Sequence, residues 1–92
     1  MQIPHELKLK YLDRRVKDIE RLRSSLAEDD YEFAKKLGHQ LKGNAVTFEF
    51  PQMAFIGSEM ETAANQKDKE RVKKLVEKME NLISFFQPNF IN

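Results

Sequence analysis

Val72, Leu75, Val76, Met79, Leu82, Ile83 and Phe86 recur at steps of three and four residues, with lysine and glutamate between them. This spacing lays one apolar stripe along an α-helix and would fall on both faces of a strand. The same step recurs in three earlier stretches. They are Leu12, Val16, Ile19, Leu22 and Leu26; then Phe33, Leu37, Leu41 and Phe48; then Met53, Ile56, Gly57, Met60, Ala63 and Ala64. Alternation of Val, Ile and Thr is scarce, and no internal repeat or low-complexity segment occurs. The chain is therefore expected to be all-α and to form a single domain over residues 1–92.

Local signals set the helix ends. Pro4 suits a first helical turn, where its missing N–H would be unpaired anyway, and the first helix is expected from about Pro4 to Ala27. Leu7, Leu9 and Tyr11 sit off its stripe, so its first turns are either a separate short helix or a kinked start. At the junction Glu28-Asp29-Asp30, Asp29 or Asp30 can cap the next helix and match its positive end. The second helix is expected from about Tyr31 to Thr47, with Glu49-Phe50 a tight connection and Pro51 restarting the chain as a third. Asn65-Gln66-Lys67 breaks that helix, Asp68 caps the fourth, and Pro88 stops it. Phe90 and Ile91 either fold back on the bundle or fray. Such short connections force sequence neighbours to run antiparallel, giving an up-down-up-down four-helix bundle. The helices are too short to stand alone, so burial of their stripes must hold them.

Several function classes are excluded on composition. The chain has no cysteine, which removes disulfides and thiolate metal sites. His5 and His39 are far apart in sequence, so no metal site is expected. The 16 basic and 15 acidic residues are interspersed, unlike the basic face of a nucleic-acid binder. No apolar run approaches the ~20 residues that span a bilayer, and the N-terminus lacks a signal-peptide pattern. A cytoplasmic protein, monomeric and without nucleic acid or membrane partners, is expected.

The second helix carries the one histidine of interest. At about 100° per residue, with Leu37 at the centre of the inner face, Phe33, Leu41, Asn44 and Phe48 lie within about 40° of it. His39 lies about 160° away, and Glu32, Lys35, Lys42, Gly43 and Val46 project to the same outer side. A neutral imidazole is a good nucleophile near pH 7, because the unperturbed group titrates at about 6.5. A phosphoryl group placed on it would bring roughly 1.5–2 negative charges, which Lys42 could offset as a point charge. Gly43 contributes by absence, since a bulky residue there would block a partner from the ring. Gly38 and Gly43 each cost up to ~1 kcal/mol in a helix and so ask for a reason. For Gly38 a close helix contact is the rival reason, and Gly57 suggests the same of the third helix. Lys35 and Lys36 read equally well as ordinary solvating charges. Phe55 points away from its helix's stripe, where it either extends a docking patch or packs under the N-terminal segment. His5 is taken as incidental.

The run His39-Gln40-Leu41-Lys42-Gly43 resembles the signature of histidine-containing phosphotransfer (HPt) domains, a histidine followed by a lysine three residues on and then a glycine. The similarity continues through Phe48-Glu49-Phe50, Met53, Ile56-Gly57, Met60-Glu61 and Asn65-Gln66-Lys67-Asp68, about forty residues in all. It implies a four-helix bundle whose second helix displays the phosphorylated histidine, His39. Lys42 would stand beside the phosphoryl group and Gly43 would give access. Such domains take the group from the aspartate of a receiver domain and hand it to another receiver. They bind no cofactor themselves, Mg2+ being expected only in the receiver, and they are carriers rather than enzymes. Docking is expected to use Lys35, Lys36, Gln40, Val46 and Phe55. The chain departs from the family at Glu49, often a glycine, and at Val46, often a glycine or small residue.

Three other readings compete. Histidine-kinase dimerisation domains also display a helical histidine, but with an acidic residue next and a proline a little beyond, which Gln40 and Asn44-Ala45 do not match. No glycine-rich phosphate loop accompanies it, so the chain is not expected to use ATP, and a free-standing carrier is expected. A helical adaptor binding a partner through the same face, without chemistry at His39, is the alternative function. A hydrolase or metal enzyme has little support, because the Glu-x-x-His motifs of metal-binding bundles are missing.

Overall fold

The computed structural model describes residues 2–88 of the chain. Four helices follow one another: α1 (His5–Ala27), α2 (Glu32–Asn44), α3 (Pro51–Asn65) and α4 (Lys69–Phe86). α2 packs most closely on α3 and α4 packs mainly on α3, while α1 lies against α4 more than against its chain neighbour α2. The four-helix bundle is therefore formed as expected, and no strand occurs among the described residues. None of the helices is long and apolar enough to cross a membrane.

The core follows the stripes. Leu12, Leu22, Leu37, Leu41, Met53, Met60, Val72, Val76, Met79 and Ile83 are fully buried, and among the described residues no polar or charged one joins them. All six expected inner positions of α3 are buried. Burying one such side chain contributes about 1.5–3 kcal/mol, so the stripes supply the cohesion that short helices lack.

The structure corrects four boundary and burial readings. The start of α1 is not a separate helix, since residues 5–27 run as one, and Tyr11, buried at 5% exposure, anchors that end. Its ring stacks on Phe48 at 4.6 Å and on Phe50 at 5.7 Å, and its hydroxyl donates to Asn44 Oδ1. Phe50 is not simply part of a connection but a fully buried core residue. The second helix ends at Asn44, before Thr47, and residues 45–49 form turns. Phe86, placed on the apolar seam, is 43% exposed, and its ring stands T-shaped to Phe50 at 5.0 Å. Phe90 and Ile91 lie outside the described residues.

The exits of α1, α2 and α3 share one geometry. Around Asp29, Glu49 and Lys67 the backbone takes left-handed φ values of 57°, 67° and 53°. Each exit makes the paired hydrogen bonds of a Schellman motif, as in Glu49 N to Val46 O and Phe50 N to Ala45 O, both 2.9 Å. Glycine usually fills this position, because a Cβ there costs roughly 1–2 kcal/mol. Here none of the three is glycine, and the chain's three glycines all lie within helices. At the starts, Asp30 accepts from Glu32 N and Asp68 accepts from Arg71 N. Asp68 is thus the N-cap of α4 as anticipated, whereas the N-cap of α2 is Tyr31 and Asp30 holds that helix start from one residue earlier.

Candidate functional site

The site begins with the contact between α2 and α3. A Cβ added to Gly38 would lie 2.6 Å from both Glu61 N and Gly57 O, and one added to Gly57 would lie 2.6 Å from Leu41 Cβ and 2.7 Å from Gly38 O. Real Cβ atoms do not approach so closely, so each glycine is needed for the backbones to meet. Gly38 thus has the rival role considered for it, close helix packing. The approach fixes the register: Glu61, one turn beyond Gly57, comes to stand over the edge of α2 that carries His39 and Lys42.

Glu61 joins the two. Its Oε2 lies 3.2 Å from His39 Nδ1 and its Oε1 lies 3.2 Å from Lys42 Nζ. The hydrogen bond from Lys42, aided by the charge of Lys42 and by His39, holds the Glu61 carboxyl below the usual carboxylate range. An ionised carboxylate only accepts hydrogen bonds. The ring nitrogen facing it must therefore be the donor, so the neutral ring carries its proton on Nδ1. Nε2 is left with its lone pair free. The partner of one ring nitrogen in this way sets the role of the other.

The surroundings leave that lone pair accessible. The His39 side chain is 70% exposed, against 22% for Glu61. Lys42 is exposed, and a Cβ on Gly43 would meet nothing within 4 Å. Lys35, Lys36 and Gln40 are exposed, and with Glu32, His39 and Glu61 they line a shallow depression at the α2–α3 edge. Val46 and Phe55 are 61% and 65% exposed, so Phe55 does not pack under the N-terminal segment. Asn44, assigned to the inner face, is half-buried and held by Tyr11. His5 is exposed at the start of α1. Among the described residues no three His, Cys, Asp or Glu side chains are grouped to hold a metal ion.

Sequence reasoning missed Glu61 as a partner of the histidine. A single carboxylate off the apolar stripe of a helix gives no signal of its own. Pairing Gly38 with Gly57 as the two halves of one contact would have set the α2–α3 register and brought Glu61 to His39.

A protein-family model described as "Hpt domain" matches residues 6–85. No curated protein and no solved structure matches the chain.

Proposed function

Since the chain belongs to the Hpt domain family, we propose that His39 is the phosphoryl carrier of a phosphorelay. Membership gives the chain a phosphotransfer role in two-component signalling and receiver domains as its partners. Hpt domains are phosphocarriers rather than catalytic enzymes. The residues extend this to a specific reaction. The His39 Nε2 lone pair attacks the phosphorus of a receiver's aspartyl phosphate. The Nε2–P bond forms as the bond from phosphorus to the aspartyl oxygen breaks, and the aspartate leaves as carboxylate. The imidazole keeps its Nδ1 proton and becomes a cation, which the Glu61 carboxylate offsets. The same steps in reverse, with the aspartate of a second receiver as nucleophile, discharge it.

Lys42 has a part in each state. Without phosphate it is paired with Glu61; with phosphate it turns to the phosphoryl oxygens, where its charge stabilises both the transferring group and the product. Gly43 leaves room for the receiver's active site above the ring. Lys35, Lys36, Gln40, Val46 and Phe55 form the docking surface around it. In this relay the chain uses neither ATP nor a cofactor of its own, the Mg2+ of the reaction belonging to the receiver.

One observation carries this reading: an exposed imidazole whose Nδ1 lies against the Glu61 carboxylate, with Lys42 on the other oxygen of the same carboxylate. A catalytic group fixed on a helix favours in-line attack through positioning. The test is to mix the protein with a phosphorylated receiver and follow the label. The expected product is acid-labile, base-stable label on the chain, lost in His39→Gln. Failure of every receiver from the source organism to transfer label would instead favour a helical adaptor acting through the same face.

A further inference from the structure

Val46, on the proposed docking surface, belongs to the turn that leaves α2, and that turn ends at Glu49 in the left-handed region with φ 67°. A glutamate gains nothing from that backbone conformation, yet the turn depends on it: Glu49 N donates to Val46 O, and Phe50 N to Ala45 O. The Glu49 side chain points to the other end of the chain. Its Oε1 pairs with Lys8 Nζ at 2.8 Å, and its Oε2 accepts from Ile3 N at 2.8 Å. These contacts hold the Glu49 carboxyl below the usual carboxylate range, the hydrogen bond from Lys8 first and that from Ile3 N next. The neighbouring links run the same way. Tyr11 donates to Asn44 at the end of α2 and stacks on Phe48, one residue before Glu49. The turn is therefore held from outside, by residues 3–11, where a glycine would have formed it unaided.

We propose that Glu49 is a positioning residue for receiver docking: through Lys8 and Ile3 it lets the N-terminal segment set the shape of the turn that presents Val46. The inference rests on the proposed docking of a receiver beside His39. Its consequence is that receiver affinity depends on residues near the N-terminus that touch neither His39 nor Lys42. A change that pulls Ile3 and Lys8 away would loosen the docking edge while leaving the phosphoryl-accepting atoms in place.

The experiment uses the whole chain, with Lys8→Met, Glu49→Gln, and the charge swap Lys8→Glu with Glu49→Lys. Lysine at 49 is tolerable because Lys67 already occupies the left-handed position at the next helix exit. Amide exchange is read at Glu49 and Phe50, and phosphotransfer from a phosphorylated receiver is read as separate KM and kcat. Each single change is expected to speed exchange at both amides and to raise KM by about two- to fivefold, the scale of a lost partly exposed ion pair. kcat should stay within about twofold of wild type, because the groups at the phosphorus are unchanged. The swap should restore the part of the protection and of the KM that rests on the Lys8 pair, but not the part that rests on the hydrogen bond from Ile3 N, which a lysine cannot accept. Unchanged exchange in both single variants would overturn the clamp. Faster exchange with KM unmoved, or a loss confined to kcat, would overturn its docking role. If wild type itself accepts no phosphoryl group, the proposed function fails and the docking role with it, while the exchange data still decide the clamp.

Discussion

The two edges of α2 use glycine in opposite ways. At the inner edge, Gly38 lies against Gly57 and the backbone of Glu61, with no room for even one methyl group. At the outer edge, five residues on, Gly43 faces open space. Both carry the same local cost of up to ~1 kcal/mol against alanine. The inner glycine is required by packing, since it lets α2 and α3 meet closely enough to bring Glu61 to His39. Packing within the chain asks nothing of the outer one, which fits the proposed access of a receiver to that face. In a helix, a glycine that the fold does not need is a sharper pointer to function than one that it does.

The contrast is easiest to break at the inner edge. Gly38→Ala should lower stability by about 2 kcal/mol through overpacking, even after the gain in helix propensity. Thermal unfolding should fall by about 10 °C in a domain of this size. A melting temperature equal to wild type would show that the helices can part at no cost. At the outer edge the prediction reverses. Gly43→Leu should fold as well as wild type but transfer phosphoryl groups at least about tenfold more slowly, a loss of ~1.4 kcal/mol in docking or transition-state energy. Gly43→Ala should be more stable than wild type by up to ~1 kcal/mol. Full transfer by the leucine variant would remove the access argument.

A third glycine experiment sharpens the point by adding one. Lys67 holds a left-handed φ of 53° at the exit of α3, so Lys67→Gly should raise stability by about 1 kcal/mol in denaturant unfolding. No gain there would mean that left-handed exits carry little strain in this fold, which would weaken the case that the Glu49 turn needs outside support.

The smallest effects belong to the exposed site. Lys42→Ala should change stability by no more than about 0.5 kcal/mol while slowing transfer, and a collapsed melt with normal transfer would put the lysine on the wrong face. The Glu61 carboxyl sits below its ordinary value of 4.5, chiefly because Lys42 hydrogen-bonds it. A depressed carboxyl contributes stability above its ordinary value and loses it as pH falls through its lowered value. Wild type should therefore exceed Glu61→Gln in stability at pH 7, and the gap should narrow in melts taken below pH 4.5. A gap that widened with acid would have the wrong sign.

These residues also show what could be read before the structure. The inner face of α3 was legible because Met53, Ile56, Met60 and Ala63 keep the helical period and nothing competes with it. The outward direction of His39, Lys42, Gly43 and Val46 followed from angles along one helix. The end of α2 was hidden, because residues 45–49 stay nearly in phase with the helix and Phe48 continues its stripe; only Pro51 marks a break. Tyr11 and Phe50 were missed as core because each is buried by stacking from a neighbouring element, outside any stripe of its own. Glu61 was missed for the deepest reason. Its role depends on the register between two helices, which only the Gly38–Gly57 contact encodes.

On the proposed mechanism, His39 accepts phosphoryl groups on Nε2 while Nδ1 stays hydrogen-bonded to Glu61. Nuclear magnetic resonance of the phosphorylated protein, with ring nitrogens labelled, tests it most directly. Coupling of phosphorus to Nε2 of His39, with a proton retained on Nδ1, is the predicted result. Phosphorus found on Nδ1, or on His5, would contradict it.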